Sequence, residues 1–495
     1  MKFRTVANTA VGAVVLAVIG AVMGPAWDPT PVPDPIEPVT TSTQVSLAGG
    51  PPIGTYEVEQ RIVDVQLDGT VVRAKLTMPQ GADGPVPGVV FIHGAGTGKF
   101  ADAFRTQSAE LATAGIATLV PDKRLDTYTL RHRDYVAMAA DYARSVEVLR
   151  GVPGVDPDRV GIYAESEGGW IAPVLAANDA ELGFTVLVSA PVVQPRQQAA
   201  FAVDNYLRNT GVPSDVFRAI PRAVGMALPG GGFEYADFEV TRYQRAMTQP
   251  VLIVFGTNDP SMPLVQGTRL LAEDLAYAGN DAWNARFYDG ANHGIKVDGV
   301  MHPAFMTDLA GWVNGLPQSA GAEPRIAGAT PHQTYLAQPL VTPSWFGDGD
   351  VVLGLVIGGL AVVLLAGAAA VVSWFVRRPV GLAAELWRPL VGLGVGVVLT
   401  IVALVWYLFS IAMIALEYER DPWTVQGGWV VVRVLGLASV LALAILLQHV
   451  RAVSVEPERV LAKTIRGYLV LWSAVAGASL LLVLLAYWGV FQLGI

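Results

Sequence analysis

Hydrophobic residues of this chain gather in long runs near its two ends. One run covers residues 6–23, and four more cover residues 351–375, 391–416, 429–447 and 468–493. A helix needs about 20 apolar residues to cross the hydrocarbon core of a bilayer. Buried helices of soluble proteins are rarely so long and so poor in charge. The pattern therefore predicts five membrane-spanning helices, of which the last four form an all-α transmembrane domain over residues 351–495.

The first apolar run admits two interpretations. Lys2 and Arg4 precede it, and the small residues of the segment 24–26 follow it. A basic start, an apolar middle and a small-residue end are typical of a cleavable signal peptide. The same features suit an uncleaved anchor. Residues 1–24 are thus predicted to be an N-terminal transmembrane anchor or a signal peptide, and we prefer the anchor.

A different pattern fills the middle of the chain. Between residues 54 and 315, short apolar strand segments alternate with amphipathic helical segments, which predicts an α/β domain with a mostly parallel sheet. Residues 56–78 predict antiparallel opening strands. Further strands are predicted at residues 89–92, 117–120, 159–163, 184–188, 250–256 and 285–288, and helices at 101–114, 133–149 and 170–177.

Three segments depart from this alternation. Residues 192–249 contain helical pieces at 197–209 and 214–226 and predict a cap or lid insert, the alternative being a surface elaboration without a role. Residues 25–53 are rich in Pro, Thr and Ser and predict an extended, semi-rigid linker. Residues 316–350 mix Gly, Pro and Ala and predict a second linker that returns the chain to the membrane.

Composition supports the membrane prediction and orients the spans. Hydrophobic residues make up 52% of the chain and charged residues 15%, whereas soluble proteins average about 25% charged residues. Two loops between the spans are basic, with Arg377 and Arg388 in one and Arg451 and Arg466 in the other. Since Lys and Arg mark cytoplasmic loops, the α/β domain is expected outside the cell membrane. The net charge of −9 argues against a nucleic-acid partner, and the absence of cysteine means that no disulfide bears on this placement.

Ser166 is the candidate nucleophile. Residues 161–170 read GIYAESEGGW, so this serine lies between a predicted strand and a predicted helix, with Ala164 and Gly168 at the two flanking small positions. A sharp strand-to-helix turn with small flanks is a nucleophile elbow, which lifts the hydroxyl clear of the sheet. It also aims the N–H groups of the helix start at a developing oxyanion.

The partners that a nucleophilic serine needs follow in the chain. Asp259 comes directly after the predicted strand 250–256, and His293 lies in the loop after the strand 285–288. A base must take the serine proton, and an acid must orient that base. Asp289 is the alternative acid. Upstream, residues 93–98 read HGAGTG, a loop that supplies a backbone oxyanion donor in hydrolases, while His93 itself is expected to be structural.

With these motifs, residues 55–315 resemble bacterial α/β-hydrolases of the secreted esterase and acyl-hydrolase type. The nearest match is the signature S-E-G-G-x-I-A-P, which begins at Ser166. More distant resemblances are to dienelactone hydrolases and prolyl-oligopeptidase-like peptidases. The resemblance implies the α/β-hydrolase fold, with Ser166 as nucleophile, Asp259 as acid and His293 as base. It also implies that the backbone N–H groups of Ala95 and Glu167 form the oxyanion hole.

The predicted function is that of a multi-pass, membrane-anchored serine hydrolase with an extracytoplasmic catalytic domain. It would cleave carboxylic esters or thioesters through an acyl-serine intermediate, and an acylated envelope lipid is one hypothesis for the substrate. Acyl transfer, peptidase activity and a non-catalytic binding module are the alternatives. The histidines are scattered, and neither an H-E-x-x-H motif nor a Walker loop occurs, so no metal or cofactor is expected. The expected partners are an acyl ester or lipid substrate and the membrane. A membrane-protein partner or a second copy of the chain is a further candidate.

Overall fold

The computed structural model of the protein describes residues 2–45, 50–227, 230–377, 380–417 and 420–492. Position 493, where the last predicted span ends, lies outside them. The chain divides into two compact units. We call residues 29–202 and 233–339 the α/β unit, and residues 1–28, 203–232 and 340–495 the helical unit.

The α/β unit is built on a nine-stranded sheet in the order β1-β2-β4-β3-β5-β6-β7-β8-β11. The β1–β2 and β2–β4 pairs are antiparallel and the remaining pairs of this sheet are parallel, so the predicted, mostly parallel sheet is confirmed. β9 and β10 form a separate antiparallel pair. The strands are β1 Val58–Leu67, β2 Thr70–Pro79, β3 Val86–Ile92, β4 Ala117–Pro121, β5 Val155–Glu165, β6 Thr185–Val188, β7 Val251–Gly256, β8 Trp283–Tyr288, β9 Lys296–Val297, β10 Val300–Met301 and β11 Ile326–Gly328.

Helices cover both faces of this sheet. Alternate residues of β3 enter opposite cores: Val90 packs in the cluster with α3, α4 and α7, and Phe91 in the cluster with α2 and α8. This two-sided burial confirms the predicted α/β architecture, with helices on both faces of a mostly parallel sheet. The helices of the chain are α1 Lys2–Val22, α2 Arg105–Thr113, α3 Tyr135–Arg150, α4 Gly168–Asn178, α5 Pro195–Asn209, α6 Thr241–Gln244, α7 Leu264–Tyr277, α8 Phe305–Asn314, α9 Gly349–Phe375, α10 Ala384–Glu417, α11 Gly428–Val455 and α12 Ile465–Tyr487.

Most of the described residues of the predicted linkers, 29–45, 50–53 and 316–339, belong to the α/β unit. β11 lies within the predicted second linker and pairs in parallel with β8. Beside it, the Gly328 N–H donates to the carbonyl of Thr40 at 2.9 Å, and the buried Arg286 donates to the carbonyl of Thr43 at 3.0 Å. These segments therefore supply partners for backbone groups at the edge of β8 and for the Arg286 guanidinium.

Within its described residues, the helical unit contains five helices that are long and apolar enough to cross a membrane. By length and composition they agree with the five predicted spans. They cover Phe3–Val22, Gly349–Phe375, Ala384–Ile414, Trp423–Val455 and Ile465–Tyr487.

The first of these helices is packed into the helical unit rather than standing apart. The Thr5 hydroxyl donates to Gln448 Oε1 at 2.9 Å in α11, and Gln492 Nε2 donates to the carbonyl of Ala17 at 3.0 Å. A Cβ at Gly20 would meet the carbonyl oxygen of Ala486 at 2.1 Å, so the backbones of α1 and α12 touch there. Small residues allow apolar helices to approach this closely.

Part of the predicted cap also belongs to the helical unit. Residues 203–232 of the 192–249 segment group with the apolar helices, and the rest groups with the α/β unit. The predicted helix 214–226 is instead a short 3₁₀ turn, Ser214–Arg218, followed by a wider turn, Ile220–Val224. Pro221 lies inside the second turn and lacks an N–H, which disfavours a regular α-helix there.

The 203–232 segment is attached to the ends of the apolar helices. Asp204 accepts from Trp27 Nε1 at 2.6 Å just after α1, and the Gly230 N–H donates to the Asp350 carboxylate at the start of α9. Asp215 lies 3.4 Å from Arg433 in the first turns of α11. These contacts all lie at the helix ends remote from the loop where Arg459 pairs with Glu385.

Candidate active site

Ser166 lies in a strained turn between β5 and α4. Its φ is +55°, in the left-handed region that residues other than glycine rarely adopt. Its N–H donates to the carbonyl of Val188 at 3.0 Å, which fixes the turn against the end of β6. A Cβ at Gly169 would lie 2.6 Å from Cβ of Ala190, and one at Gly168 would lie 3.1 Å from the carbonyl oxygen of Ile92. The close approach of the chain explains the glycines at these two positions.

Asp259 and His293 meet at the same edge of the sheet, because β7 and β8 are parallel neighbours and each residue follows one of them. His293 Nδ1 lies 2.7 Å from Asp259 Oδ2. The Asp259 side chain is fully buried, and its other oxygen accepts from the Ser261 N–H at 2.9 Å and the Ser261 hydroxyl at 2.6 Å. Among the described residues, no hydrogen bond joins His293 to the exposed Asp289.

The pair changes the proton affinity of both groups. Burial alone opposes the charged form of His293, but the Asp259 carboxylate and, more weakly, that of Glu165 outweigh it, so the pKa of His293 is raised above its ordinary value. Burial likewise opposes the charged form of Asp259, yet His293 and the two donors from Ser261 hold the pKa of this carboxyl below its ordinary range. A carboxylate that stays ionised beside an imidazole can stabilise the imidazolium formed during proton transfer.

Glu165 is a residue that the sequence analysis missed. It immediately precedes Ser166, and its carboxyl lies 3.5 Å from the Tyr163 hydroxyl. Burial raises the pKa of Glu165, while the charges of His293 and Lys296 oppose that rise. The only sequence signal was a second acidic residue beside the nucleophile, and it did not indicate that this carboxyl faces the histidine.

The H-G-x-G loop lies against the elbow. A Cβ at Gly94 would lie 3.1 Å from Cβ of Ser166 and 3.2 Å from the carbonyl oxygen of Glu165, so a side chain there would push the two segments apart. The ring of His93 is buried, and its Nε2 lies 2.7 Å from the carbonyl of Pro121. Burial lowers the pKa of His93 to about 4. A neutral, backbone-bonded ring agrees with the structural role predicted for it.

The two backbone N–H groups predicted to bind an oxyanion are free of other acceptors within the described chain. The Glu167 N–H is at the start of α4, and the Ala95 N–H is in the exposed turn after Gly94. A helix start that offers unpaired N–H groups next to a nucleophile is suited to stabilise negative charge.

The Glu167 side chain is at the centre of a buried polar cluster. Its carboxylate accepts from Lys123 Nζ at 3.0 Å, from Arg133 Nη1 at 2.5 Å, and from the hydroxyls of Tyr128 at 3.0 Å and Tyr135 at 3.4 Å. Sequence reasoning considered only the backbone of Glu167. The lysine and arginine both lie in the loop between β4 and α3, and no motif joins that loop to the elbow.

A cavity of about 760 Å³ opens beside this site within the α/β unit. Its lining includes Glu165, which precedes Ser166, and Gly294, which follows His293. Thr97 of the 93–98 loop also lines it. Its wall also carries charged side chains, including Arg105 and Lys296. In the described part of the chain, no group of three or more His, Cys, Asp or Glu residues could hold a metal ion.

One protein family matches part of the chain. The profile of the prolyl oligopeptidase family matches residues 128–317, which include Ser166, Asp259 and His293 but make up less than half of the chain. No curated protein matches the chain.

Solved structures with a similar fold come from several enzymes. A dienelactone hydrolase from Anabaena variabilis shares 17% identity over 54% of this chain and 99% of its own, with a TM-score of 0.35. A cold-adapted esterase from an Arctic intertidal metagenomic library shares 18% identity over 53% of this chain and 94% of its own, with a TM-score of 0.34. A puromycin-hydrolyzing peptidase from Mycobacterium tuberculosis shares 19% identity over 58% of this chain and 42% of its own, with a TM-score of 0.40. These likenesses are partial, and none assigns a substrate to this chain.

Proposed function

We propose that this serine hydrolase of the α/β-hydrolase fold cleaves carboxylic esters or thioesters through an acyl-serine intermediate at Ser166. The observation that carries the proposal is the 2.7 Å contact between His293 Nδ1 and the buried Asp259, at the sheet edge where Ser166 occupies a strained elbow. A base held by a buried carboxylate is what serine acyl-transfer chemistry requires, and the chain order of Ser166, Asp259 and His293 is that of α/β-hydrolases.

The proposed reaction has two halves. In the first, Ser166 Oγ attacks the carbonyl carbon while His293 Nε2 takes its proton, and the N–H groups of Ala95 and Glu167 stabilise the oxyanion. The tetrahedral adduct then expels the alcohol or thiol, which takes the proton from His293. In the second half, water attacks the acyl-serine, His293 accepts a proton from that water and returns it to Ser166, and the acid is released.

We propose further that the enzyme acts on the outer side of a membrane. The basic loops at Arg377–Arg388 and Arg451–Arg466 are the support for this orientation. The packing of α1 against α11 and α12 favours a retained anchor, because cleavage would remove a helix with close backbone contacts. Protease added to intact cells or spheroplasts should therefore cut the chain outside the spans. If the chain is cleaved only after the inner membrane is opened, the proposed orientation is wrong and the α/β domain lies on the cytoplasmic side.

Peptidase activity is the second candidate, and the match to the prolyl oligopeptidase family favours it. Both activities use the same acyl-serine chemistry and differ in the leaving group. An acylated envelope lipid remains a narrower proposal for the substrate. The apolar side chains of the 203–232 segment that suggested it, such as Leu207, Val216 and Ile220, are buried, which favours a packing role for them.

Labelling by a fluorophosphonate probe, followed by a substrate panel, tests the proposal on the full chain in detergent or nanodiscs. The panel should contain p-nitrophenyl esters of rising chain length, matched thioesters, aminoacyl p-nitroanilides and a bilayer-embedded acyl lipid. Ester or thioester turnover that depends on Ser166 supports the proposal. If only the anilides are hydrolysed, peptidase activity replaces ester or thioester hydrolysis as the proposed function. A chain that is neither labelled nor active would favour a binding module.

A further inference from the structure

The buried cluster around Glu167 joins the two segments that carry the proposed oxyanion donors. We propose that Lys123 is a positioning residue that holds these segments in register, so that the N–H groups of Ala95 and Glu167 point at the same oxygen. The inference rests on the proposed function of Ser166. It adds a residue to which neither the sequence motifs nor the family match assigns a role.

The geometry of Lys123 is that of a link between two loops. The residue follows β4, and its side chain is 1% exposed. Its Nζ donates to the carbonyl of Gly94 at 2.7 Å and to the carboxylate of Glu167 at 3.0 Å. Gly94 immediately precedes Ala95, and Glu167 immediately follows Ser166. A single ammonium group therefore contacts the segment of each proposed donor. The Gly94 carbonyl and the Ala95 N–H belong to the same peptide unit and point in opposite directions.

The charges of the cluster explain why this link is rigid. The Glu167 side chain is 1% exposed and meets two cations, Lys123 and the partly buried Arg133. A buried charge without a partner costs several kcal/mol, so the pair resists separation. Burial lowers the pKa of Lys123, and the Glu167 carboxylate opposes that effect. With its tyrosines neutral, the cluster has one more positive than negative charge, which also suits a neighbouring oxyanion.

Positioning matters here because oxyanion donors act through geometry. The donors must lie about 2.7–3.1 Å from the oxygen of the tetrahedral adduct, not of the ground-state carbonyl. A displacement of about 1 Å in such a site can reduce the rate about 10²-fold. If Lys123 sets the spacing of the two segments, its removal should weaken binding of the transition state and leave binding of the substrate unchanged.

The test compares Lys123→Met and Glu167→Gln with the wild-type full chain. We expect kcat to fall by up to about 10²-fold in each variant while KM is unchanged. The affinity for a trifluoromethyl ketone, which mimics the tetrahedral adduct, should fall in parallel with kcat/KM. Since the two side chains act on one link, the double variant should lose less than the product of the two single losses. If Lys123 and Glu167 serve folding alone, the variants should have a lower Tm but should not show a reduced kcat together with an unchanged KM.

Lys99→Met is the matched control. Lys99 lies in the same glycine-rich loop and pairs with Asp122 at 3.1 Å, but its side chain is 52% exposed. We expect its kcat to equal that of the wild type. If Lys123→Met does not fold, Glu167→Gln decides, because it preserves the shape of the side chain and removes the charge. A full kcat in a folded Lys123→Met or Glu167→Gln variant overturns the inference. If the fluorophosphonate probe does not label the wild-type chain, the proposed function itself is rejected.

Discussion

Two buried cations, Lys123 of the α/β unit and Arg222 of the helical unit, have their charges compensated in different ways. In the α/β unit, Lys123 and Arg133 share the carboxylate of Glu167. In the helical unit, Arg222 is completely buried and donates only to backbone carbonyls: those of Gly20 at 2.9 Å and Gly24 at 3.2 Å, and that of Tyr487. Among the described residues, no carboxylate pairs with Arg222.

The positions of these carbonyls explain the difference. They lie at or just beyond the C-terminal ends of α1 and α12, where the last carbonyls of a helix lack partners and carry partial negative charge. A guanidinium can cap two helix ends at once because its donors form a planar fork. The comparison suggests that ion pairing shapes the site in one unit, whereas helix capping ties a non-helical segment to apolar helices in the other.

Ser166→Ala should abolish activity without affecting either buried cation. Loss of the nucleophile typically costs about 10⁶-fold in kcat. We expect no fluorophosphonate labelling, no ester turnover above background and an unchanged Tm. Near-normal turnover in this variant would remove Ser166 from the proposed mechanism.

Asp259→Asn should reduce kcat more than Asp289→Asn does. The buried Asp259 holds His293, and removal of the charge from a triad acid costs about 10⁴-fold. Asp289 is exposed and serves as the matched control. Steady-state kinetics of the two variants decide between the acids, and a larger loss for Asp289→Asn would reassign the role.

Arg222→Met should destabilise the helical unit and leave the chemistry of Ser166 intact. Buried carbonyls that lose their donor cost about 1–3 kcal/mol each. We therefore expect a lower Tm for the full chain in detergent, with normal kcat at temperatures where the variant stays folded. Arg218→Met, a half-buried arginine of the same segment, is the control. An unchanged Tm in Arg222→Met would show that the capping contributes little.

The smallest effect concerns the pH dependence. His293 must be neutral to accept the serine proton, and its pKa is raised above the ordinary 6.5. The acid limb of kcat/KM should therefore have its midpoint above this value, and activity should fall as the pH drops through it. Glu165→Gln removes a negative charge that favours the imidazolium, so the midpoint should move to lower pH. Glu110→Gln, in the wall of the same cavity, should leave it in place. A shift to higher pH in Glu165→Gln contradicts this account.

Local patterns predicted the elements well where the pattern was long. Among the described residues, the five apolar helices and strands β1 to β8 of the central sheet occur close to their predicted positions. The wrong predictions concern short elements and positions where the backbone is strained. Helix α2 begins at Arg105 rather than at residue 101, after Phe104 in a left-handed conformation. Strand β11 was missed because three residues are too few to reveal an alternation.

The sequence motifs were sufficient to select three candidate residues of the site. Ser166, Asp259 and His293 could be selected because each follows a recognisable strand, and parallel neighbours bring such loops to one edge of a sheet. The choice between Asp259 and Asp289 stayed open in the sequence, since both are loop acids near the histidine. Glu165 and Lys123 could not be assigned a role, because their partners become visible only once the loops are folded.

Local patterns along the chain predicted the fold of the α/β unit, the five apolar helices of the described residues and the chain order of the proposed nucleophile, acid and base. Hydrophobic periodicity and turn chemistry are local properties, and they are therefore readable along the chain. Only the tertiary structure decided which buried charge meets which partner. Lys123 meets a carboxylate 44 positions away, and Arg222 meets a carbonyl 202 positions away. Such contacts depend on where separate segments meet in space, and the cost of burying an unpaired charge makes them specific once they have met.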